Sequence, residues 1–441
     1  MPKVHLISLG CPKNQVDSEQ LLKKLAERNI YYVSNPDEAD IIMINTCGFI
    51  EAAKKESIDE ILNAVRLKSE KSPKKLLVYG CLAKRYGEEL KKEIPEIDAL
   101  WGVAEEDAIA DYCSSALAPQ RKHTNRISLN TILEPVQKSG QDEFHTTPYA
   151  YLKIGEGCDR GCSYCAIPDI RGHYKSSAPD QVIASAEEHI RSGIKELIVV
   201  AQDITAYGSE FESYDLARLL RDLASLSGDF WIRLLYLYPT AVNDRLLETI
   251  ASLDKVCNYI DMPLQHTEKN ILKLMGRGGS RIFFEKLIRH IREIIPGVVL
   301  RSTFIVGFPQ ETETDFSNML EFARWMKLDR LGAFTYSREE GTEAAGLKGN
   351  LSASIKKTRY NRLMAMQAGI SLAKNKALIG QSFRALVDET DQGVAIARLY
   401  SQAPEIDGVV IIRNGNVSKG DFISVRIDRV ADYDLEGTVA L

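Results

Sequence analysis

The chain opens with three repeats of one pattern, in which a short apolar run is followed by an amphipathic stretch at helical spacing. The apolar runs are residues 4–9, 41–44 and 76–79. Strands that alternate with helices predict parallel strands joined by crossover helices. We therefore expect residues 1–117 to form an α/β domain with an open parallel βαβ sheet, whose ligands collect at the carboxyl ends of the strands.

A second alternating region follows a polar segment, 118–146, whose few apolar anchors are typical of a linker. Six strand candidates alternate with helical stretches in this region. They are residues 150–154, 197–201, 231–235, 259–262, 298–305 and 331–335. Six βα units predict an incomplete parallel (β/α)6 barrel over residues 147–374, with its working face at the carboxyl ends of the strands.

The barrel prediction includes a long helical stretch at 352–378, which we expect to pack on the barrel. Four basic residues lie near its start, namely Lys356, Lys357, Arg359 and Arg362. Such charge runs are as often a solvated helix face as a functional one. The sequence leaves both interpretations of this basic cluster open.

The final segment, 375–441, changes to short β-rich runs separated by turn residues. The runs are residues 383–387, 394–399, 408–412 and 422–427. They predict a small antiparallel β-barrel of the kind that recognises RNA or a protein partner. This segment has seven Lys and Arg against ten Asp and Glu, and an RNA-binding platform needs the opposite sign.

Composition sets the broad class of the protein. The 441 residues are 44% hydrophobic, which is enough for several cores, and the net charge of -5 excludes an overall basic field. No leader with a long apolar region and no bilayer-spanning run is present, so we expect a soluble cytoplasmic protein with no membrane partner. In that compartment the eight cysteines are reduced ligands or buried hydrophobes.

The most specific chemical signal is Cys158-Asp-Arg-Gly-Cys162-Ser-Tyr-Cys165, directly after the first strand of the predicted barrel. Iron-sulfur clusters and structural zinc sites are normally closed by four protein ligands. Three thiols in a compact loop therefore indicate a metal centre with one open position for a substrate or cofactor.

A second thiol set is spread over the first domain. Cys11, Cys47 and Cys81 each follow one of the three apolar runs, at separations of 36 and 34 residues. Taken singly, each is more often a buried core residue than a ligand. Three thiols at equivalent strand ends, each beside Gly, Thr or Asn, favour a second three-cysteine site instead. Cys113 and Cys257 have no such placement.

The Cys158 to Cys165 loop resembles the signature of radical S-adenosylmethionine (SAM) enzymes, and the whole chain resembles the radical SAM methylthiotransferases, which carry a terminal TRAM β-barrel. The resemblance is greatest to the branch that modifies an aspartate of the small-subunit ribosomal protein twelve. The motifs that carry it are Gly10 to Glu19, Ile167 to Gly172, Ala201-Gln-Asp203 with Tyr207-Gly208, Pro263 to His266, Pro404 to Gly408 and Asp432 to Gly437.

The resemblance implies two 4Fe-4S clusters, one at each cysteine trio, and SAM as cofactor. A deoxyadenosyl radical derived from SAM is then the reactive agent, so no protein side chain is expected to be catalytic. Tyr164, Gln202, Arg233 and Gly307 are the expected cofactor contacts, although Arg233 is equally typical of a structural ion pair. The resemblance also implies a methylthio group added to the β-carbon of the substrate aspartate, and an electron donor such as a flavodoxin or ferredoxin.

Two alternatives stay open. The nearer one is a tRNA methylthiotransferase that acts on a modified adenosine beside the anticodon, which the acidic barrel and the barrel motifs disfavour. The other is a non-catalytic zinc-binding scaffold. One residue departs from the family pattern, since Gln310 stands where a second Gly is usual. If the backbone there needs a positive φ, Gln is strained, which affects the fine detail of the cofactor pocket but not the reaction class.

Overall fold

A computed structural model of the chain describes residues 2–70, 74–117, 147–413 and 416–440. The chain divides into two compact units, Met1–Thr146 and Thr147–Leu441. The predicted linker at 118–146 lies outside the described residues.

The first unit is a five-stranded, fully parallel sheet with the strand order β2-β1-β3-β4-β5. Its strands are β1 (Lys3–Ser8), β2 (Tyr31–Tyr32), β3 (Ile41–Thr46), β4 (Lys75–Gly80) and β5 (Ala99–Leu100). Its helices are α1 (Pro12–Glu27), α2 (Glu51–Glu70), α3 (Cys81–Glu93) and α4 (Glu106–Leu117). The expected open parallel sheet is confirmed, and only the two-residue edge strands are too short to show a sequence pattern.

Helices cover both faces of this sheet, which explains why its central strand reads as a continuous apolar run. All six residues of β3 are buried. Successive side chains point to opposite faces, so Met43 packs with Leu21 and Leu25 of α1, while Ile42 packs with Ile61 of α2 and Leu82 of α3. The buried β3 places its carboxyl end at the middle of the sheet edge.

The second unit is built on a six-stranded parallel sheet with the order β13-β12-β11-β10-β9-β6, as the six βα units predict. A two-stranded antiparallel ribbon, β7-β8, lies beside it. The strands are β6 (Tyr149–Lys153), β7 (Gly155–Glu156), β8 (Lys175–Ser176), β9 (Glu196–Val200), β10 (Trp231–Leu234), β11 (Val256–Asp261), β12 (Val299–Val306) and β13 (Arg330–Thr335). The helices are α5 (Ile167–Arg171), α6 (Pro179–Arg191), α7 (Leu216–Ser225), α8 (Asp244–Ser252), α9 (Lys269–Leu274), α10 (Arg281–Ile294) and α11 (Glu313–Met326).

The longest described helix, α12 (Ala353–Lys376), packs on the edge strand β13 and on α11. The basic cluster at its start divides between two roles. Arg359 is buried and pairs with Glu311 at 2.5 Å, whereas Lys357 and Arg362 are exposed. No helix in the described ranges combines the length and apolar character that a bilayer crossing requires.

The chain ends in a closed five-stranded barrel with the order β14-β15-β16-β18-β17. Its strands are β14 (Ser382–Asp391), β15 (Val394–Leu399), β16 (Val410–Arg413), β17 (Phe422–Val430) and β18 (Leu435–Val439). The barrel differs from the antiparallel expectation in one pair, because β16 and β18 run parallel. An odd number of strands cannot alternate in direction around a closed ring, so one parallel pair is unavoidable.

Candidate metal centres and cofactor site

The three cysteines of the first unit lie at one edge of its sheet. Cys11 follows β1 and precedes α1, Cys47 directly follows β3, and Cys81 is the first residue of α3 after β4. These three strands are neighbours in the sheet and run in the same direction. The fold therefore brings together the thiols that sequence spacing predicts to converge.

Asn14 lies at the centre of this cysteine trio. Its Oδ1 is 4.0 Å from Cys11 Sγ and 3.8 Å from Cys81 Sγ. Its Nδ2 donates to the backbone oxygens of Leu9 at 2.9 Å and Thr46 at 3.2 Å. The buried amide thus ties the ends of β1 and β3 to the sulfur atoms, and it sets their spacing.

Two glycines make the close approach of these strand ends possible. Gly10 has φ +97, and a Cβ there would lie 2.7 Å from Cys47 Cβ and 3.1 Å from Cys47 Sγ. Gly80 has φ +98, and a Cβ there would collide with the Asn45 side chain and lie 2.8 Å from the Thr46 oxygen. Only glycine combines this backbone angle with so little space.

The donor set of the trio fits a cluster with one open corner. Cys11 and Cys81 stand at helix N-termini, where the partial positive charge stabilises thiolates. The fourth cysteine of this unit, Cys113, is buried in the core under α1 and β1. Across the described ranges, no three His, Cys, Asp or Glu side chains lie close enough together to hold a single metal ion. A closed zinc site needs four ligands within about 2.3 Å of one ion, whereas a four-iron cluster is a larger body that spaces its thiolates more widely.

The second trio lies on the loop after β6 and β7, at the carboxyl end of the six-stranded sheet. Backbone contacts hold this loop from two sides. Cys158 N donates to the Gly172 oxygen at 3.1 Å, and Ser163 N donates to the Met275 oxygen at 3.0 Å. Gly276 has φ +66, and a Cβ there would collide with the Gly161 oxygen. The cysteine loop is therefore clamped before any metal binds.

Burial keeps two of these thiols, Cys158 and Cys165, protonated in the absence of metal. It raises the pKa of Cys165 to about 12, and it raises the pKa of Cys158. Metal binding requires the thiolate and must displace these protons. Arg277 lies beside the remaining thiol of the loop, where its Nη1 donates to Cys162 Sγ at 3.5 Å. The loop thus pairs three partly buried thiols with one cation.

Three of the four expected cofactor contacts lie at this end of the sheet. Tyr164 sits in the cysteine loop and packs edge-on against Phe308, with 6.4 Å between ring centroids. Gln202 follows β9 and donates from Nε2 to Glu156 Oε1 at 2.7 Å. Gly307 follows β12, where its N–H donates to Glu311 Oε2 at 2.8 Å.

Glu156 stays ionised beside Gln202. Burial by itself would raise the pKa of this carboxyl, but Lys153 and Arg171 lower it to about 2. Lys153 Nζ lies 3.0 Å from Oε2, and Arg171 Nη1 lies 2.8 Å from Oε1. A fixed negative charge at this strand end is suited to the positively charged amino group of an amino-acid-like cofactor.

For Arg233, the structure favours the alternative of a structural ion pair. Its side chain is fully buried and pairs with Glu196, the first residue of β9, at the opposite end of the strand from Gln202. Its Nη1 also donates to the Tyr400 oxygen of the C-terminal barrel at 2.7 Å. Arg233 is therefore a structural ion-pair partner between core and barrel. A strand pattern alone does not reveal toward which end a long side chain extends.

Two polar side chains at the carboxyl ends were not expected from the sequence. Gln265, after β11, and Tyr336, after β13, each bury an oxygen that has no hydrogen-bond partner among the described residues, and Gln202 Oε1 shares this property. Buried polar atoms are normally satisfied. Three unsatisfied oxygens after β9, β11 and β13 therefore fit a polar cofactor at this face. Gln265 was within a recognised motif, but Tyr336 had no sequence signal.

Gln310, which stands where the family usually has a glycine, adopts a left-handed backbone conformation. Its φ is +68, and its N–H donates to the Gly349 oxygen at 3.1 Å. The side chain is exposed. The strain is thus in the backbone of the loop that also carries Gly307, and the side chain points away from the buried pocket.

Comparison with known protein families divides the chain into the same three segments. Residues 3–102 match an uncharacterized protein family, UPF0004, residues 152–323 match the Radical SAM superfamily, and residues 379–440 match the TRAM domain. Among solved structures, the radical SAM methyltransferase TsrM from Kitasatospora setae has a TM-score of 0.58 at 12% identity, over 90% of this chain and 81% of its own. The cobalamin-dependent radical enzyme OxsB has a TM-score of 0.52 at 13% identity, over 84% of this chain and 56% of its own. These likenesses establish the fold.

Curated relatives extend over the full length. The ribosomal protein uS12 methylthiotransferase RimO of Thermodesulfovibrio yellowstonii is 50% identical over 440 residues, which is 100% of both chains. The protein of the same name from Desulforamulus reducens is 43% identical over 446 residues, again covering 100% of both chains. Identity at this level over all three segments, together with the two cysteine trios, shows that the chain belongs to the radical SAM methylthiotransferases, in the uS12-modifying family named RimO.

Proposed function

We propose that this protein adds a methylthio group to the β-carbon of an aspartate in ribosomal protein uS12, with two 4Fe-4S clusters and SAM. The observation that carries the proposal is the full-length identity to uS12 methylthiotransferases, combined with two trios of free cysteines at strand ends. An open position at each site is what a reaction with two metal-bound reactants requires.

We assign Cys158, Cys162 and Cys165 to the cluster that binds SAM, and Cys11, Cys47 and Cys81 to the second cluster. When bound, SAM and its cluster supply a carbon radical strong enough to break an unactivated C–H bond, and the second cluster supplies sulfur. The protein's own task is to hold these groups in place and to exclude water.

The residues around the first trio divide this task. The negative charge of Glu156 and the free oxygen of Gln202 suit the amino-acid portion of the cofactor. Tyr164, Phe308 and Tyr336 form an apolar wall beside the cysteine loop, which suits an aromatic ring. We therefore keep Tyr164, Gln202 and Gly307 as proposed cofactor contacts, and we add Gln265 and Tyr336.

The substrate assignment agrees with the charge of the C-terminal barrel. Its excess of acidic residues attracts a basic ribosomal protein and repels the phosphates of tRNA. The ribosomal substrate places the reaction in the cytoplasm. Cleavage of SAM consumes an electron, for which we propose a low-potential flavodoxin or ferredoxin as donor.

The decisive experiment uses the full chain, reconstituted without oxygen and supplied with SAM, sulfide and a reductant. Mass spectrometry of uS12 and of bulk tRNA after the reaction locates the methylthio group. We expect it on one aspartate of uS12. Modification of tRNA alone would reject the substrate assignment, and cofactor cleavage without modification of either would reject the transfer function.

A further inference from the structure

Arg277 stands out among the residues around the SAM-site cysteines. It lies on the loop between α9 and α10, 115 residues from Cys162 in sequence, and its Nη1 is 3.5 Å from Cys162 Sγ. Arginine has five donors and no acceptor, so the guanidinium is the donor in this contact. Its Nη2 donates to the Pro263 oxygen at 2.7 Å, and its plane lies 4.5 Å from the centroid of the Tyr238 ring. The guanidinium is therefore fixed in orientation.

Arg277 also lacks an acidic partner. In the part of the chain that the structure describes, no carboxylate forms an ion pair with this partly buried cation. Burying a charge is costly unless an opposite charge compensates it. Cys162 is the group within reach that becomes anionic, once it loses its proton to a metal. A cluster held by three thiolates adds further negative charge at the same place.

A neighbouring arginine provides the contrast. The guanidinium carbon of Arg160 also lies over the Tyr238 ring, at 4.2 Å from its centroid. Its Nε lies 2.5 Å from Asp203 Oδ2, so a carboxylate already compensates its charge. The two arginines stack on the same ring, yet only Arg277 turns its donor toward a sulfur atom.

We propose that Arg277 is a positioning residue whose charge-assisted hydrogen bond to the Cys162 thiolate raises the reduction potential of the SAM-site cluster. Reduction adds one electron to a body that is already anionic. A cation fixed at a ligand sulfur stabilises the reduced state more than the oxidised state, and hydrogen bonds to cluster sulfurs are among the factors that set such potentials. The inference rests on the proposed role of Cys162 as a cluster ligand.

The test is a redox titration of the SAM-site cluster in the full chain. Cys11→Ala, Cys47→Ala and Cys81→Ala together remove the second cluster, so that electron paramagnetic resonance reports one cluster. In this background we expect Arg277→Gln to lower the ratio of reduced to oxidised cluster about tenfold at a fixed solution potential. For a one-electron couple this change corresponds to about 59 mV. Arg277→Lys keeps the charge but loses the planar fork, so we expect a smaller shift in the same direction.

Arg160→Gln is the matched control, because it removes a second cation that stacks on the same ring but is already compensated by Asp203. We expect it to change the ratio much less than Arg277→Gln. An equal effect of both variants, or an unchanged potential in Arg277→Gln, would overturn the proposal. If Arg277→Gln retains no iron, the reduction potential of Arg277→Lys is the deciding measurement. An unchanged potential in that variant would contradict the proposed role of the hydrogen bond. Iron analysis of the triple-alanine protein that keeps Arg277 separately tests whether the loop with Cys162 binds a cluster at all.

Discussion

Arg233 on β10 and Glu196 on β9 form a fully buried ion pair, with 2.5 Å between Nε and Oε1. The pair continues into the C-terminal barrel, since Arg398 Nη1 lies 2.6 Å from Glu196 Oε2 and Arg398 also pairs with Asp388. One glutamate of the core thus compensates two buried cations. Buried ion pairs therefore join the barrel to the radical SAM core. Because such pairs need close contact between their charged groups, they hold the barrel and the core in a defined relative orientation.

The first prediction concerns the stability of this junction. Glu196→Gln leaves Arg233 and Arg398 buried without their shared carboxylate, and breaking such a pair costs about 3 to 5 kcal/mol of unfolding free energy. Denaturant titration measures the change. Asp229→Asn is the matched control, because Asp229 pairs with Arg384 of the barrel at an exposed site and should cost less than about 1 kcal/mol. Equal effects would show that burial of the junction does not determine its strength.

The same junction predicts a pH dependence. Burial by itself would raise the pKa of Glu196, but Arg233 and Arg398 lower it overall. A carboxyl whose pKa is lowered in the fold stabilises the protein above its unfolded pKa of about 4.3, and this contribution is lost as the pH falls through the folded value. The difference in unfolding free energy between the wild type and Glu196→Gln should therefore be largest at neutral pH and become smaller below about pH 4. Burial raises the pKa of Asp388, so through this second carboxyl a lower pH favours the folded state, in the wild type and in Glu196→Gln alike. A difference that widens in acid would contradict this account.

A third prediction separates the two cysteine trios. Alanine at Cys158, Cys162 or Cys165 should abolish SAM cleavage, whereas alanine at Cys11, Cys47 or Cys81 should spare cleavage but stop methylthio transfer. Each change should remove about half of the bound iron, since we assign one four-iron cluster to each trio. Chromatography of the cleavage product and iron analysis are the measurements.

Cys257→Ala is the control for this series, because Cys257 is buried on β11 and belongs to neither trio. It should keep both clusters and both activities. Cleavage and transfer that survive in every cysteine variant would refute the two-site assignment.

A fourth prediction concerns the backbone at the first trio. Gly80→Ala places a Cβ against the Asn45 side chain at φ +98, so we expect a loss of about 1 to 3 kcal/mol of stability and weaker binding of the second cluster. Gly87→Ala, in the helix α3 that directly follows Gly80, has open space around its Cβ and should cost nothing. Thermal unfolding and iron content check both variants. Normal iron content in Gly80→Ala would show that the glycine is not needed for the site.

The last prediction concerns Gln310. Gln310→Gly relieves the strain of the left-handed backbone conformation. The greater conformational freedom of glycine in the unfolded chain partly offsets this gain, so we expect the free energy of unfolding to rise by no more than roughly 1 kcal/mol. SAM cleavage should be unchanged, since the side chain is exposed. Gln392→Gly, at another left-handed position in a hairpin of the barrel, is the matched control for stability. A large loss of cleavage in Gln310→Gly would place the side chain in the cofactor pocket.

Local patterns in the sequence were sufficient for most of the longer strands and for the prediction of both cysteine trios. The apolar runs before Cys11, Cys47 and Cys81 predicted β1, β3 and β4, because a buried parallel strand requires consecutive apolar residues. Parallel strands bring their carboxyl ends to one edge, so the convergence of the thiols followed from chain direction alone. Strand β18 was missed, since it is only five residues long and three of these, Glu436, Gly437 and Thr438, break the apolar pattern of a strand.

The sequence by itself determined the order of the main elements and the family, and it predicted both cysteine trios, because these depend on neighbouring residues and on motifs. Only the tertiary structure decided that Arg233 pairs with Glu196 and that Arg277 reaches Cys162. It also decided that the oxygens of Gln265 and Tyr336 lie unsatisfied at the strand ends. These relationships depend on how a sheet curves and where its loops close, and the direction of a long side chain is set by distant residues packed around it.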